Sequence, residues 1–404
     1  MKILLTFIFA FFTISVNAQQ HIKPLAIVYD STVLNGAERI NEYLPLLQNN
    51  RVGIVANHTS MVGNKHLVDT LLSLGVDISA VFAPEHGFRG NHADGAIIKT
   101  YIDSITKIPI VSLYGSSLRP EKKDLSSIDI IIFDIQDVGA RFYTYISTMH
   151  YMMEACAENN IKMIVFDRPN PNGFYVDGPV LNAAYKSFVG MHQIPIVHGL
   201  TVGELALMIN GEHWLKNNLH CDLTVIPCEN WDHSKLYQLP INPSPNLISM
   251  DAIYLYPSLC LFEGTIVSVG RGTLRPFEII GHPLLKGSSF SFMPKPIKGM
   301  SEKPPHNGKL CYGFDLKNYA KKTATPYGEL RLNWLIEMYC ELYPNQEAGD
   351  FFKNSSFDRL AGNSNLRNQI INGTNENTIK KSWQADLKKY KSIRKKYLLY
   401  EDFE

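Results

Sequence analysis

From Arg51 onward, the chain alternates short apolar runs with segments whose apolar residues recur at helical spacing. The apolar runs are rich in β-branched residues and five to seven residues long, as is typical of buried strands. We predict strands at 52–56, 78–83, 108–114, 128–133, 162–166 and 221–227. The helical spacing predicts helices at 65–74, 141–158, 201–211, 249–262, an amphipathic segment at 327–343 and a terminal helix at 380–396.

Continuous apolar strands separated by helices are characteristic of a parallel sheet, because crossover helices exclude water from both of its faces. The sequence therefore predicts an α/β fold with a Rossmann-like, doubly wound parallel sheet. The 404 residues are enough for two or three domains at about 100–200 residues each. Three prolines at 240, 243 and 245 predict a boundary, since proline disfavours helices and inner strands. We predict a Rossmann-like catalytic domain at 24–245 and a smaller α/β C-terminal domain at 246–404.

The first 18 residues have the pattern of a secretory signal peptide. Lys2 precedes an apolar run from Ile3 to Val16, and small residues end at Ala18. The run is shorter than the roughly 20 apolar residues that span a bilayer, and no later segment supplies a spanning helix. We therefore expect cleavage after Ala18, export to the periplasm or the medium, and no integral membrane segment in the mature protein.

Charge and cysteine content narrow the range of partners. With 39 Lys and Arg against 38 Asp and Glu, the formal charge of +1 provides no field able to hold a polyanion, so nucleic acid is not an expected partner. The six cysteines have neither C-x-x-C spacing nor another regular spacing. A core of this size needs no disulfides, so we predict buried free thiols.

The familiar cofactor motifs are missing or incomplete. The segment 270–275 has Arg275 where a dinucleotide-binding loop needs its third glycine, and it follows no clear βα unit. Neither a P-loop nor H-E-x-x-H occurs. The sequence therefore predicts no cofactor and no metal.

Polar residues follow four of the predicted strands, at 57–60, 84–90, 134–143 and 167–173. Ligands bind beyond the carboxyl ends of open parallel sheets, so these clusters predict a polar pocket. Its carboxylates suit cleavage of a glycosidic bond, in which one acid protonates the leaving oxygen. Capping of helices or tying of loops is the structural alternative for Asp134 and Asp167.

Eight segments of the chain form longer motifs: GIVANHTS (53–60), PEHGFRG (84–90), DIQDVGARFYTY (134–145), DRPNP (167–171), VDGP (176–179), PIVHGLT (195–201), FEGT (262–265) and RGT (271–273). Together they resemble the exo-β-N-acetylmuramidases of the NamZ type. The resemblance covers nearly all of the chain after the signal peptide. It implies removal of terminal, non-reducing N-acetylmuramic acid from peptidoglycan fragments, in a cleft that the C-terminal domain closes.

The resemblance also implies roles for individual residues. Glu85, in the Pro-Glu-His-Gly motif, is the expected catalytic acid, with a simple ion pair to Arg89 as its structural alternative. Asp137 is a possible nucleophile or base, although the substrate's own acetamido group is another possible nucleophile. His86 is a possible orienting group for the acid.

An arginine is the expected partner of the lactyl carboxylate of muramic acid, and four arginines qualify equally by sequence. The full set of expected substrate-binding residues is Asn57, His58, Arg89, Gln136, Arg141, Tyr145, Arg168, Asn170, His198, Glu263 and Arg271.

Two other functions fit the same pattern. A non-catalytic periplasmic binding protein for muropeptides or amino sugars also places two lobes around a cleft. A metal-dependent hydrolase would use His58, His86 and an aspartate as ligands, although no recognised ligand spacing supports it.

Overall fold

The fold is described from a computed structural model that covers residues 32–89, 100–115, 117–285, 287–317, 319, 328–344 and 349–404. The predicted signal peptide lies outside these residues. The strands are β1 (Arg51–Ala56), β2 (Met61–Val62), β3 (Lys65–His66), β4 (Asp77–Ala83), β5 (Tyr101–Ile102), β6 (Pro109–Ser112), β7 (Ile130–Asp134), β8 (Lys162–Phe166), β9 (Leu223–Ile226), β10 (Ile279–His282), β11 (Phe290–Phe292) and β12 (Cys311–Asp315).

A seven-stranded sheet in the order β5-β6-β4-β1-β7-β8-β9 forms the centre of the molecule. All neighbouring strands in it run parallel except the pair of β5 and β6. Strand β1 lies in the middle, and the chain winds outward from it first on one side and then on the other. This order confirms the predicted Rossmann-like sheet and places the topological switch between β1 and β7.

The helices are α1 (Ile40–Leu47), α2 (Leu67–Ser73), α3 (Lys122–Leu125), α4 (Tyr145–Asn159), α5 (Val202–Gly211), α6 (Met250–Leu259), α7 (Asn333–Leu342), α8 (Asn354–Ala361), α9 (Asn365–Ile371), α10 (Glu376–Ser382) and α11 (Gln384–Arg394). Helices α1 and α2 pack with Ile54 of β1 on one face of the sheet, while α4 and α5 pack with Val55 on the other. Alternate side chains of one strand therefore enter two separate cores, which is why the sequence of β1 is a continuous apolar run.

The C-terminal domain contains a small antiparallel sheet in the order β10-β12-β11 and helices α6 to α11. Its core is continuous with the α4 face of the large sheet. Helix α11 returns to the N-terminal domain, where Tyr390 Oη donates to the His198 carbonyl at 2.6 Å. Arg394 Nε also donates to the Gly199 carbonyl at 2.9 Å.

Several element boundaries differ from the predictions for local reasons. Helix α2 begins at Leu67 because Lys65 and His66 form a hairpin strand with Met61–Val62. The terminal helix is two helices, α10 and α11, which meet at Trp383. Helix α5 begins in a capping box, because the side chains of Thr201 and Glu204 each accept from the other residue's backbone amide.

All six cysteines are free thiols, as predicted, and five of them are buried; the prediction of burial was wrong for Cys340, which is exposed. Within the part of the chain that the structure describes, no helix is long and apolar enough to cross a membrane.

Candidate active site

A cleft of about 370 Å³ lies where the carboxyl ends of β4 and β7 face the C-terminal domain. The N-terminal domain contributes the loop after β4 and the start of α4, next to the topological switch of the sheet. The C-terminal domain contributes α6 and the loops that follow it. The cleft is lined by Glu85, His86, Tyr114, Phe142, Tyr143, Thr144, Tyr145, Phe188, Val189, Ser244, Asn246, Leu247, Tyr256, Cys260, Glu263, Arg271, Phe277 and Leu360.

Glu85 reaches this cleft from a tight turn. The Gly87 amide donates to the Pro84 carbonyl at 3.0 Å, and this bond closes the turn directly after β4. His86 has a φ of +70°, a left-handed conformation that a residue with a side chain seldom adopts. Strain of this kind is concentrated at functional sites. The turn presents a half-buried Glu85 and a buried His86 to the same cavity.

Tyrosine side chains form the wall beside Glu85. The rings of Tyr143 and Tyr145 meet edge to face at 5.0 Å, and Tyr256 packs edge to face on Tyr143 at 5.9 Å. Burial raises the pKa of Tyr143 well above its ordinary value, and the nearby Tyr145, Asp137 and Glu85 raise it further. Tyr143 is therefore a neutral phenol at any pH near 7.

Two residues of the N-terminal domain hold the loop that carries Ser244, Asn246 and Leu247 into the cleft. Tyr143 Oη donates to the Pro243 carbonyl at 2.8 Å, and His58 Nε2 lies 2.9 Å from the Asn242 carbonyl. A carbonyl accepts only from a protonated ring nitrogen, which places the proton of neutral His58 on Nε2. Burial lowers the pKa of His58, which keeps this form at neutral pH. His58 is thus a positioning residue.

Glu263 and Arg271 face the cleft from the C-terminal domain. Arg271 Nε donates to Glu263 Oε1, and the Arg271 guanidinium lies 5.2 Å from the centre of the Phe277 ring. Glu85 and Glu263 are the two carboxylates among the described lining residues. The structure therefore brings together five of the predicted residues: Glu85, His86, Tyr145, Glu263 and Arg271.

Asp137 and His198 lie beside this wall and not on it. Asp137 is 5% exposed, and its Oδ2 accepts from the Gly139 amide at 2.6 Å. His198 Nε2 is 3.6 Å from the same oxygen. Because His198 Nδ1 accepts from the Leu200 amide, Nε2 carries the proton and points its dipole at the carboxylate.

Three of the four candidate arginines lie away from the cleft in bonds to the protein itself. Arg141 is fully buried and donates to three carbonyls, and burial lowers its pKa to about 9. Arg168 makes two hydrogen bonds to Asp134 and lines a separate groove. Arg89 lies over the Phe88 ring at 4.4 Å and pairs with two aspartates.

Three predicted amides also make internal bonds. Asn57 Oδ1 accepts from Thr59, Gln136 Nε2 donates to the Pro169 carbonyl, and Asn170 Nδ2 donates to the Leu200 carbonyl. These bonds hold the loops at the carboxyl edge of the sheet. A direct contact of these residues with a sugar stays a prediction.

Asn246 is a cleft residue that the sequence did not reveal. It is 3% exposed, and its Nδ2 donates to the Met300 carbonyl at 3.2 Å. Its Oδ1 has no hydrogen-bond partner within the described residues, so it can accept a hydrogen bond from a ligand. The aromatic residues Tyr114, Phe188, Tyr256 and Phe277 were also missed. Their apolar contexts are typical of core, and no sequence signal separates them from it.

Among the residues that the structure describes, no group of three or more His, Cys, Asp or Glu side chains is placed to hold a metal ion. His58 points to a carbonyl, as described above. The site instead has the chemistry of carboxylates beside aromatic rings and one arginine.

Known proteins match this chain over both domains. The N-terminal model of exo-β-N-acetylmuramidase NamZ matches residues 52–251, and the C-terminal model matches residues 254–400. The peptidoglycan β-N-acetylmuramidase NamZ of Bacillus subtilis (strain 168) is 39% identical over an alignment of 382 positions, and the match covers 89% of each chain.

Two solved structures of DUF1343 family proteins from Bacteroides fragilis NCTC 9343 have the same fold. One is 48% identical with a TM-score of 0.83, and the match covers 92% of this chain and 100% of that chain. The other is 29% identical with a TM-score of 0.77, and the match covers 91% and 99%. This chain therefore belongs to the exo-β-N-acetylmuramidase NamZ family.

Proposed function

We propose that this protein is an exo-β-N-acetylmuramidase that removes terminal, non-reducing N-acetylmuramic acid from peptidoglycan fragments. The observation that carries the proposal is the placement of Glu85. The turn after β4 holds Glu85 in a cleft between the two domains that tyrosines, Glu263 and Arg271 also line. Family membership and the 39% identical B. subtilis muramidase support the same reaction.

In this proposal, Glu85 is the general acid. It gives its proton to the glycosidic oxygen as the bond from that oxygen to C1 breaks, and the bond's electron pair stays on the leaving oxygen. Water then supplies a hydroxyl group to C1, and its second proton restores the acid. The products are free N-acetylmuramic acid and the shortened saccharide.

For the second catalytic group, the wall of the cleft offers Glu263. Asp137 lies beside the wall, where its charge acts on Tyr143, and a direct catalytic role for Asp137 stays a prediction. Attack on C1 by the substrate's own acetamido group is compatible with either Glu263 or Asp137 as the second catalytic group.

The test compares chromogenic β-glycosides of N-acetylmuramic acid and N-acetylglucosamine. We expect the wild type to release chromophore from the muramic compound and the Glu85→Gln variant to be about 10²- to 10⁴-fold slower. Glu42→Gln, on α1 and remote from the cleft, is the matched control with unchanged activity. Saturable binding of the muramic compound without release by the wild type would identify a binding protein instead.

We also propose that the protein is exported, on the strength of Lys2 and the apolar run up to Val16. N-terminal sequencing of the protein from its native cells is the test. A mature N-terminus at Gln19 supports export with cleavage after Ala18, whereas retention of Met1 in the cytoplasm contradicts it.

A further inference from the structure

We infer that Arg271 is the residue that binds the lactyl carboxylate of N-acetylmuramic acid and so selects muramic over glucosamine substrates. The inference rests on the proposed function, in which N-acetylmuramic acid is the sugar that is removed. N-acetylmuramic acid differs from N-acetylglucosamine by its lactyl ether, so recognition of the lactyl carboxylate distinguishes the two sugars. A carboxylate that leaves water for a half-buried cleft needs a cation to offset its lost hydration, and a guanidinium provides paired donors in a plane.

Arg141 lacks access to a ligand. Its Nη1 donates to the carbonyls of Pro179 and Ile194 at 2.7 and 2.8 Å, and its Nη2 donates to the Leu360 carbonyl at 2.9 Å. The side chain is fully buried. Its donors therefore hold loops together, and a substrate carboxylate has no route to them.

Arg168 and Arg89 already neutralise carboxylates of the protein. Arg168 donates from Nε and Nη2 to the two oxygens of Asp134 at 2.6 and 2.9 Å. The Nη1 atom of Arg89 lies 3.6 Å from Asp69 Oδ2, and its Nη2 atom lies 3.6 Å from Asp103 Oδ2. Neither arginine lines the cleft that holds Glu85.

Arg271 differs from these three in position. Among the described lining residues of the cleft, it is the only arginine or lysine. Its Nε bonds Glu263, which fixes the plane of the guanidinium in the cleft. A guanidinium carries donors on three nitrogens in one plane, so such a group can bridge a protein carboxylate and a substrate carboxylate.

The backbone around Arg271 is held in place before any ligand binds. Gly270 and Gly272 both have a φ of +80°, and a Cβ at Gly272 would lie 2.6 Å from Pro304. The Lys295 amide donates to the Gly272 carbonyl at 2.8 Å. A rigid Gly-Arg-Gly turn lowers the entropy cost of binding, because the arginine's backbone is already ordered.

The test measures binding of two ligands by calorimetry: N-acetylmuramic acid and its lactyl carboxamide, which has nearly the same shape but no charge. We expect the wild type to prefer the acid by about 10- to 100-fold, the range for a charge-assisted pair of hydrogen bonds. Arg271→Gln should remove that preference by weakening the acid alone, and Arg271→Lys should retain part of it.

Arg275→Gln is the matched control, since Arg275 pairs with Asp315 and Glu278 outside the cleft and should leave the preference unchanged. Equal weakening of both ligands in Arg271→Gln would show a merely structural role and overturn the inference. The inference would also be overturned if Arg271→Gln kept both the wild-type circular dichroism spectrum and the preference for the acid over the carboxamide. Absence of glycoside hydrolysis by the wild type would refute the proposed function alone, because the acid–amide preference is measured without turnover.

Discussion

Arg141 of the N-terminal domain donates a hydrogen bond from Nη2 to the carbonyl oxygen of Leu360 in the C-terminal domain, across 2.9 Å. Leu360 is also part of the cleft wall. One fully buried arginine therefore connects the loop before α4 with the end of α8. The same guanidinium bonds the Pro179 and Ile194 carbonyls, so its bonds link three segments that are distant in sequence.

The Arg141→Gln variant should lose stability. We expect the free energy of unfolding to fall by at least about 3 kcal/mol, because a shorter amide leaves buried carbonyls without donors. Urea denaturation followed by circular dichroism measures this. Arg51→Gln removes an exposed pair with Asp129 and is the control, with a much smaller expected change. Equal shifts in the two variants would show that the buried bonds add no stability.

Removal of the Tyr143 hydroxyl should loosen the loop that carries Asn246 into the cleft. Tyr143→Phe loses the bond to the Pro243 carbonyl, and we expect about 1 kcal/mol lower stability together with a several-fold higher KM. Tyr43→Phe loses a similar bond to the Ala37 carbonyl, also at 2.8 Å but far from the cleft, and is the control. Tyr43→Phe should lower the stability but leave KM unchanged. A higher KM in both variants would argue against positioning of the loop by Tyr143.

Gly139 lies in the loop after β7 with a φ of +76°, and a Cβ there would lie 2.2 Å from Asn170 Oδ1. Gly63 has a φ of +55° with nothing within 4 Å of such a Cβ. Gly63→Ala should therefore cost about 1 kcal/mol from backbone strain alone. Gly139→Ala should cost clearly more, since it adds a clash with a buried amide. The two free energies of unfolding, compared by urea denaturation, separate the two effects; similar values would indicate that Asn170 moves freely.

Much of the large sheet could be predicted because its strands are buried on both faces. Strands β1 and β8 lie within one residue of their predicted bounds, since every position in them is apolar or glycine except at the first residue. Strand β11, in contrast, has three residues and is partly exposed, and the sequence gives no reason to place it. Strand β10 is fully buried but has only four residues, so the sequence did not reveal the small antiparallel sheet.

The choice among arginines could not be made from sequence. Arg141 and Arg271 both occur in motifs of the family, but their partners decide their roles. The partner of Arg141 in the C-terminal domain is 219 positions away, and a single sequence gives no measure of such contacts. The position of Glu85 at the carboxyl end of a strand was easier to predict, because the polar segment 84–90 directly follows the apolar run at 78–83.

His282, at the end of β10, should make stability depend on pH. Its ring meets the His306 ring edge to face at 4.7 Å. Burial, together with the charges of His306 and Lys309, lowers the pKa of His282 to about 4. In the unfolded chain the ordinary pKa is 6.5. As pH falls from 6.5 to about 4, His282 binds a proton in the unfolded chain but stays neutral in the folded protein, so folding becomes less favourable.

The His282→Gln variant isolates this contribution, because the other titrating groups are common to both proteins. Asp167 is one of them: burial raises its pKa to about 6, which favours the folded state as pH falls and opposes the histidine effect. We expect the stability of the wild type relative to the variant to fall by up to about 1.4 kcal/mol per pH unit between pH 6.5 and 4, and to stay constant above pH 7. Urea denaturation at pH 7.5, 6, 5 and 4.5, run beside the non-titrating Ser291→Ala variant on β11, measures the difference. Ser291→Ala should differ from the wild type by the same amount at every pH, and a constant difference for His282→Gln as well would show that the folded protein accepts the proton at little cost.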